Sequence, residues 1–150
     1  MVSEWAVGMA GAVLAKAATL RPASVPNDLT EEVVTAWAEC VDMMQRPKIT
    51  DLWKEAVTRW AMSAPDGMFT PYALRCSVDE MLEVWRHDPK RCDELDRYRY
   101  EMVRGRVQRG ELPPGTEDGY LPDSMTGDRQ VTGPSDGRKT RIDALNFGAA

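Results

Sequence analysis

Signals for the start of a helix recur along the first hundred residues of the chain. Ser3 can cap a first helix that carries Glu4 in its opening turn. Asp28 and Glu31 have the spacing of a capping box and predict the start of a second helix. Apolar residues return at helical spacing from about Asp51, where we expect a third helix to begin.

Two later signals pair a capping side chain with a proline at the first helical position. The first is Thr70-Pro71, and the second is Asp88-Pro89. Proline fits the first turn of a helix because its missing N–H would have no partner there. A fourth helix is therefore expected from Pro71, and a fifth helix from about Pro89 to Arg109.

Large apolar side chains lie on one stripe of each predicted helix, and no segment alternates apolar and polar residues between hairpin turns. The sequence therefore predicts an all-α protein, a small helical bundle of about five helices with an extended, largely irregular C-terminal tail. Four tryptophans on these stripes are expected to share one core: Trp37, Trp53, Trp60 and Trp85.

Charge divides the chain into three parts. Residues 1–85 carry 12 acidic and 7 basic side chains and all five tryptophans, whereas residues 86–109 carry 8 basic and 5 acidic side chains. Residues 110–150 are acidic again and hold 7 of the 11 glycines. We therefore expect a helical domain over 1–110, with its core at 1–87 and a basic helix at about 89–109, followed by a flexible tail over 111–150.

Cysteine usage and hydropathy restrict the compartment. The chain has three cysteines in no paired spacing, which does not fit a disulfide scaffold. Its longest apolar run, Trp5 to Ala15, is about half of what a bilayer requires, and Glu4 precedes it where a signal peptide would be basic. A cytoplasmic protein without membrane contact is expected.

A metal site or an active site is not expected. His87 is the only histidine, and Cys40, Cys76 and Cys92 do not have the spacing of a zinc finger. Cys40 lies in the apolar stripe of its helix, whereas Cys76 lies opposite such a stripe, so the two thiols point apart. A nucleophilic thiol or hydroxyl would also need a general base within hydrogen-bond reach, and a single histidine at a helix end is poorly suited to that role. We therefore expect no enzyme activity and no cofactor.

The predicted fifth helix carries a cluster of basic side chains that allows two interpretations. The cluster could bind phosphate or an acidic partner surface through Lys90, Arg97, Arg104, Arg106 and Arg109. Alternatively, its charges are paired along an exposed helix, since Lys90 with Glu94, Asp93 with Arg97 and Arg97 with Glu101 are each four residues apart. The second interpretation is favoured because such pairs are commoner than binding patches.

The tail ends in a small apolar cluster after some thirty mostly polar residues. Ile142, Leu145 and Phe147 supply the apolar side chains, and Arg141 precedes them. An apolar cluster at the end of a polar tail is typical of a short docking motif. These four residues are the candidate partner-binding residues of the tail.

Residues 11–85 resemble the helical domain of the phage replicative-helicase loader/inhibitor family. The resemblance rests on a small Ala-rich first helix, on the acidic capped helix around Thr30–Trp37 with its Ala-Trp pair, on Leu52–Trp60, and on the Pro-initiated helix at Phe69–Arg75. It implies a protein whose flexible tail engages a hexameric helicase. The resemblance does not assign any functional residue of that family to an individual position of this chain.

The resemblance leads us to expect a non-enzymatic adaptor from a phage or prophage, which binds a replicative helicase and regulates its loading. The rival interpretation is a nucleic-acid-binding helical module that uses the Arg97–Arg109 segment. A third interpretation is a small phage inhibitor of another host protein. Each of the three stays open at the level of the sequence.

Overall fold

The computed structural model describes residues 2–63 and 67–126. Within these ranges the chain is all-α and contains no β-strand, which confirms the predicted fold class. None of the described helices is long and apolar enough to cross a bilayer. The α-helices are α1 (Glu4–Leu20), α2 (Glu31–Met44), α3 (Thr50–Ser63), α4 (Pro71–Arg86), α5 (Pro89–Gln108) and the short α6 (Asp123–Thr126), and the 3₁₀-helices are Pro22–Ser24 and Thr116–Tyr120.

The chain divides into two compact units between Glu83 and Val84. The first unit contains α1, α2, α3 and most of α4, and the second contains the end of α4 together with α5 and α6. The division into a helical domain over 1–110 and a flexible tail stays a prediction.

Two of the predicted helix starts are confirmed by their capping contacts. The Ser3 hydroxyl oxygen accepts a hydrogen bond from the backbone N–H of Ala6 at 3.2 Å, and α1 begins at the next residue. The Thr70 hydroxyl oxygen accepts from the N–H of Ala73 at 3.1 Å, and α4 begins at Pro71. Each side chain satisfies a backbone donor that the first turn of a helix leaves without a partner.

The predicted cap of α2 is wrong by two residues. Thr30, not Asp28, is the N-cap, and its hydroxyl oxygen accepts from the N–H of Val33 at 3.3 Å. Thr30 has the extended backbone of a cap, while Glu31 and Glu32 occupy the first turn of the helix. The two carboxylates there interact favourably with the positive end of the helix dipole.

The first unit is organised around α1, which packs against both α2 and α3. Ser3 donates from its backbone N to Asp42 Oδ2 and from its hydroxyl to Asp42 Oδ1, each at 2.8 Å. Because Asp42 lies in the last turn of α2, this contact makes α1 and α2 antiparallel. The Lys16 ammonium donates to the backbone oxygen of Lys54 at 2.8 Å and joins α1 to α3.

The four tryptophans predicted to be buried are at most 8% exposed, so their burial is confirmed. That all four share one core stays a prediction. Trp37 and Trp60 both contact the ring of Phe69, with centroid distances of 5.0 and 4.5 Å. Trp53 instead meets the half-buried Trp5 edge to face at 5.5 Å, and Trp85 belongs to the second unit.

Two ion pairs hold α4 in the first unit. The Arg46 guanidinium donates to both carboxylate oxygens of Asp79, at 2.6 and 3.2 Å, and this hydrogen bonding to Asp79 raises the pKa of Arg46. Arg59 on α3 donates to Glu80 at 2.7 Å. The two acidic residues are adjacent on α4, so α4 is joined both to α3 and to the segment that follows α2.

Candidate interaction surface

Helix α5 carries the predicted basic cluster and begins where the sequence places it. The Asp88 carboxylate accepts from the backbone N–H groups of Lys90 at 3.0 Å and Arg91 at 3.4 Å. Pro89 occupies the first helical position. The helix ends at Gln108, one residue before the predicted end, with Arg109 as its C-cap.

The five side chains of the predicted basic patch are exposed: Lys90, Arg97, Arg104, Arg106 and Arg109. Four of them bind carboxylates of the same chain. Arg97 lies 3.1 Å from Asp93 and Arg104 lies 3.4 Å from Glu101. Lys90 makes no ion pair with the residues that the structure describes.

Glu111 binds the remaining two arginines of the patch. Its Oε2 accepts from Arg109 Nε at 2.7 Å, and its Oε1 accepts from Arg106 Nε at 3.4 Å. The hydrogen bond from Arg109 is the largest cause that lowers the pKa of Glu111. Glu111 lies just beyond the helix, so the sequence pattern of four-residue spacings could not identify it as a partner.

The predicted pair Lys90–Glu94 is wrong. Glu94 instead accepts from Arg91 at 2.8 Å. The Arg91 guanidinium also lies over the ring of Trp85, 4.4 Å from its centroid. An arginine that is fixed on an aromatic face is already ordered, so it binds a carboxylate at a smaller entropic cost than a free lysine does.

Of the two pairs predicted for Arg97, one is confirmed and one is wrong. Arg97 binds Asp93 as predicted, but Glu101 accepts from Arg104 instead. Arg97 also donates to the hydroxyl oxygen of Ser124 at 3.2 Å, which directs its guanidinium away from Glu101. The interpretation in which the helix charges are paired therefore describes most of this surface.

The chain after α5 folds back along it, although the sequence predicts an irregular tail from residue 111. The 3₁₀-helix Thr116–Tyr120 packs against α5, and Arg99 lies over the ring of Tyr120 at 5.2 Å. Pro122 is fully buried. Gly115 makes the turn with a φ of 88°, a conformation that glycine adopts without strain. Gly115, followed by Tyr120 and Pro122, is the sequence feature that could have predicted this folded segment.

The tail motif is not part of the described surface. Its candidate residues, Arg141, Ile142, Leu145 and Phe147, lie outside the described residues. Their role in partner binding stays a prediction.

The cysteines considered for a metal site lie in different settings. Cys92 is buried in the second unit, while Cys40 and Cys76 are half-buried in the first. Over residues 2–63 and 67–126, no three His, Cys, Asp or Glu side chains are placed to hold a metal ion. Cys76 interacts with the exposed Tyr72, and their hydrogen bond is the largest cause that raises the pKa of the phenol.

Comparison of the chain with models of protein families, with curated proteins and with solved structures finds no match in any of the three.

Proposed function

We propose that the chain is a non-enzymatic adaptor of phage or prophage origin, which binds a replicative helicase and regulates its loading. The observation that carries the proposal is the helix order over residues 31–86. Helices α2, α3 and α4 begin at Glu31, Thr50 and Pro71, which are the segments on which the resemblance to the loader/inhibitor family depends. This order supports a shared architecture and, through it, a shared kind of partner.

The ion pairs that the arginines of the basic patch form with carboxylates of this chain support a protein partner over a nucleic acid. Binding to DNA gains most of its free energy when cationic side chains neutralise phosphates and release counterions. Arg97, Arg104, Arg106 and Arg109 already bind carboxylates of this chain. A phosphate would have to compete with those carboxylates, so the surface gains less from nucleic acid than its basic residues suggest.

The segment that we assign to helicase binding is the apolar cluster of the tail. Ile142, Leu145 and Phe147 would enter an apolar groove of the helicase, and Arg141 would approach an acidic rim. Aromatic anchors commonly contribute most of the binding free energy of such a segment, so Phe147 is the residue that we expect to matter most.

Phe147→Ala tests this assignment in the full-length chain, with a purified hexameric bacterial replicative helicase as the partner. We expect the dissociation constant to rise roughly ten- to hundredfold, which is typical for the loss of an anchoring aromatic side chain. The melting temperature of the free protein should not change, and Asn146→Ala should bind like the parent.

A chain that ends at residue 126 provides the second arm. It keeps the described helices and the contacts of Tyr120 and Pro122, and it should fail to bind the helicase. Full binding by Phe147→Ala, or binding retained by the shortened chain, would contradict the role of the tail.

A further inference from the structure

The segment that follows α5 is acidic throughout, and we call residues 111–124 the strap. Its charged side chains are Glu111, Glu117, Asp118 and Asp123, and it contains no lysine, arginine or histidine. Helix α5 lies in residues 86–109, the one of the three parts of the chain in which basic side chains outnumber acidic ones. An acidic segment therefore lies against a basic helix of the same chain.

Arginines of α5 bind the strap along its length. In the order in which the strap meets them, they are Arg109, Arg106, Arg99 and Arg97. Glu111 binds the first two, the ring of Tyr120 lies 5.2 Å from the third guanidinium, and the Ser124 hydroxyl oxygen accepts from the fourth at 3.2 Å. The strap therefore runs antiparallel to α5 and occupies its arginines with a carboxylate, an aromatic ring and a hydroxyl.

The strap is attached by contacts that cost little free energy to break. No residue of the 3₁₀-helix Thr116–Tyr120 is buried, and Pro122 is the one buried residue of the strap. The Glu111 side chain is 48% exposed, and ion pairs at such positions contribute little to stability. Elements with few buried apolar contacts open at low free energy. We therefore expect the strap to open while α5 stays folded.

Glu117 shows that the strap fits α5 imperfectly. This residue is half-buried, and its Oε1 is buried without a hydrogen bond from the described part of the chain. A carboxylate oxygen that is removed from water and given no donor costs free energy. A segment without this cost would bind the same surface more tightly than the strap does.

The charges on α5 favour a peptide over a nucleic acid beneath the strap. Asp93 and Glu101 lie among the arginines, where they bind Arg97 and Arg104. A nucleic acid carries a negative charge on every nucleotide, so carboxylates along its path repel it. A peptide, like the strap itself, has neutral residues between its carboxylates.

We propose that α5 is a docking surface for an acidic segment of a partner protein, and that the strap masks this surface. The partner segment would bring a carboxylate to Arg106 and an aromatic ring to Arg99, which are the contacts that Glu111 and Tyr120 make in the strap. The tethered strap competes at an effective concentration on the order of millimolar. A partner must therefore bind better than the strap in order to displace it. This proposal does not depend on helicase binding by the tail.

A peptide with the sequence of residues 111–124, blocked at both ends, is the probe. Titrated into the full chain, it should shift the backbone amide signals of Arg99 and Arg106 in NMR spectra. At saturation it should also raise the hydrogen-exchange rate of the Asp118 N–H, which donates to the oxygen of Gly115 at 3.1 Å. A displaced strap loses this turn, because an isolated 3₁₀ turn is not stable in water.

Two substitutions that each remove one carboxylate should act in opposite directions. Glu111→Gln weakens the strap and should lower the dissociation constant of the peptide about threefold, as expected for the loss of an exposed ion pair. Glu117→Gln should raise the dissociation constant by a similar factor, because a buried neutral amide costs less than a buried carboxylate and the strap closes more tightly. Net charge changes equally in both variants, so an effect of overall charge would lower both constants.

Tyr120→Ala removes the ring that contacts Arg99 and should lower the dissociation constant of the peptide about tenfold. Addition of Arg99→Gln and Arg106→Gln to this variant should abolish the binding, since both cationic contacts of the peptide are then lost.

Three results would overturn the proposal. The first is that Glu111→Gln and Glu117→Gln change peptide binding in the same direction, or that either has no effect. The second is that Tyr120→Ala binds single-stranded DNA of the same charge more tightly than the peptide, which would make the surface a phosphate site. The third is a dimer of the parent chain in sedimentation equilibrium at the titration concentration, which would make the strap of a second copy the occupant.

Discussion

Trp60 is the residue on which the packing of the first unit depends most directly. Its side chain is 3% exposed, lies 4.5 Å from the ring of Phe69 and supports the guanidinium of Arg21. Trp60→Ala should lower the free energy of unfolding by about 3–5 kcal/mol, the usual range for the removal of a buried aromatic ring. Denaturation in urea measures this loss. Tyr72→Ala removes an exposed ring and should cost less than about 1 kcal/mol, and equal losses would contradict the burial of Trp60.

At the scale of elements, Asp42 couples the end of α2 to the start of α1. The hydrogen bonds from the backbone and hydroxyl of Ser3 hold the pKa of Asp42 below its usual value of 3.8. A carboxylate whose pKa is lower in the folded state stabilises the fold at any pH above its unfolded pKa. That stabilisation is lost as the pH falls through the folded pKa.

Asp42→Asn should therefore be less stable than the parent at neutral pH, and the difference should shrink once the pH falls below about 4, where the carboxyl of the unfolded chain is protonated. Urea denaturation of both proteins over a series of pH values measures the difference. Glu39→Gln, on the exposed side of the same helix, should differ little from the parent at neutral pH. A difference between Asp42→Asn and the parent that grows in acid would contradict the contact with Ser3.

The sequence predicts those elements whose signals are local. The caps at Ser3, Thr70 and Asp88 each act on backbone groups two or three residues away, so pattern alone identifies them. The start of α2 is misplaced because Asp28 and Thr30 are both good caps, and only the backbone conformation selects between them.

Contacts between distant residues could not be predicted in this way. The ring contact between Trp37 and Phe69 and the contact of the Arg99 guanidinium with the Tyr120 ring both depend on how distant chain segments pack after the helices form.

At the scale of the whole molecule, the distribution of charge determines which partners the protein can approach. The chain carries 24 acidic and 19 basic side chains, and the excess of acid lies largely in residues 1–85. The positive charge of Arg97, Arg104, Arg106 and Arg109 is partly neutralised, because these arginines bind Asp93, Glu101 and Glu111. We therefore expect this distribution to disfavour binding of a long polyanion such as DNA at physiological salt and to favour a protein partner with basic segments.

The adaptor proposal is tested most directly by parallel titrations of a hexameric replicative helicase and of duplex DNA with the full chain at physiological salt. We predict a saturable complex with the helicase and no measurable complex with the duplex. The variant Arg97→Gln/Arg104→Gln/Arg106→Gln should bind the helicase like the parent. A micromolar duplex complex that weakens steeply with salt and disappears in the triple variant, without binding to the helicase, would contradict the proposal and identify α5 as a nucleic-acid-binding surface.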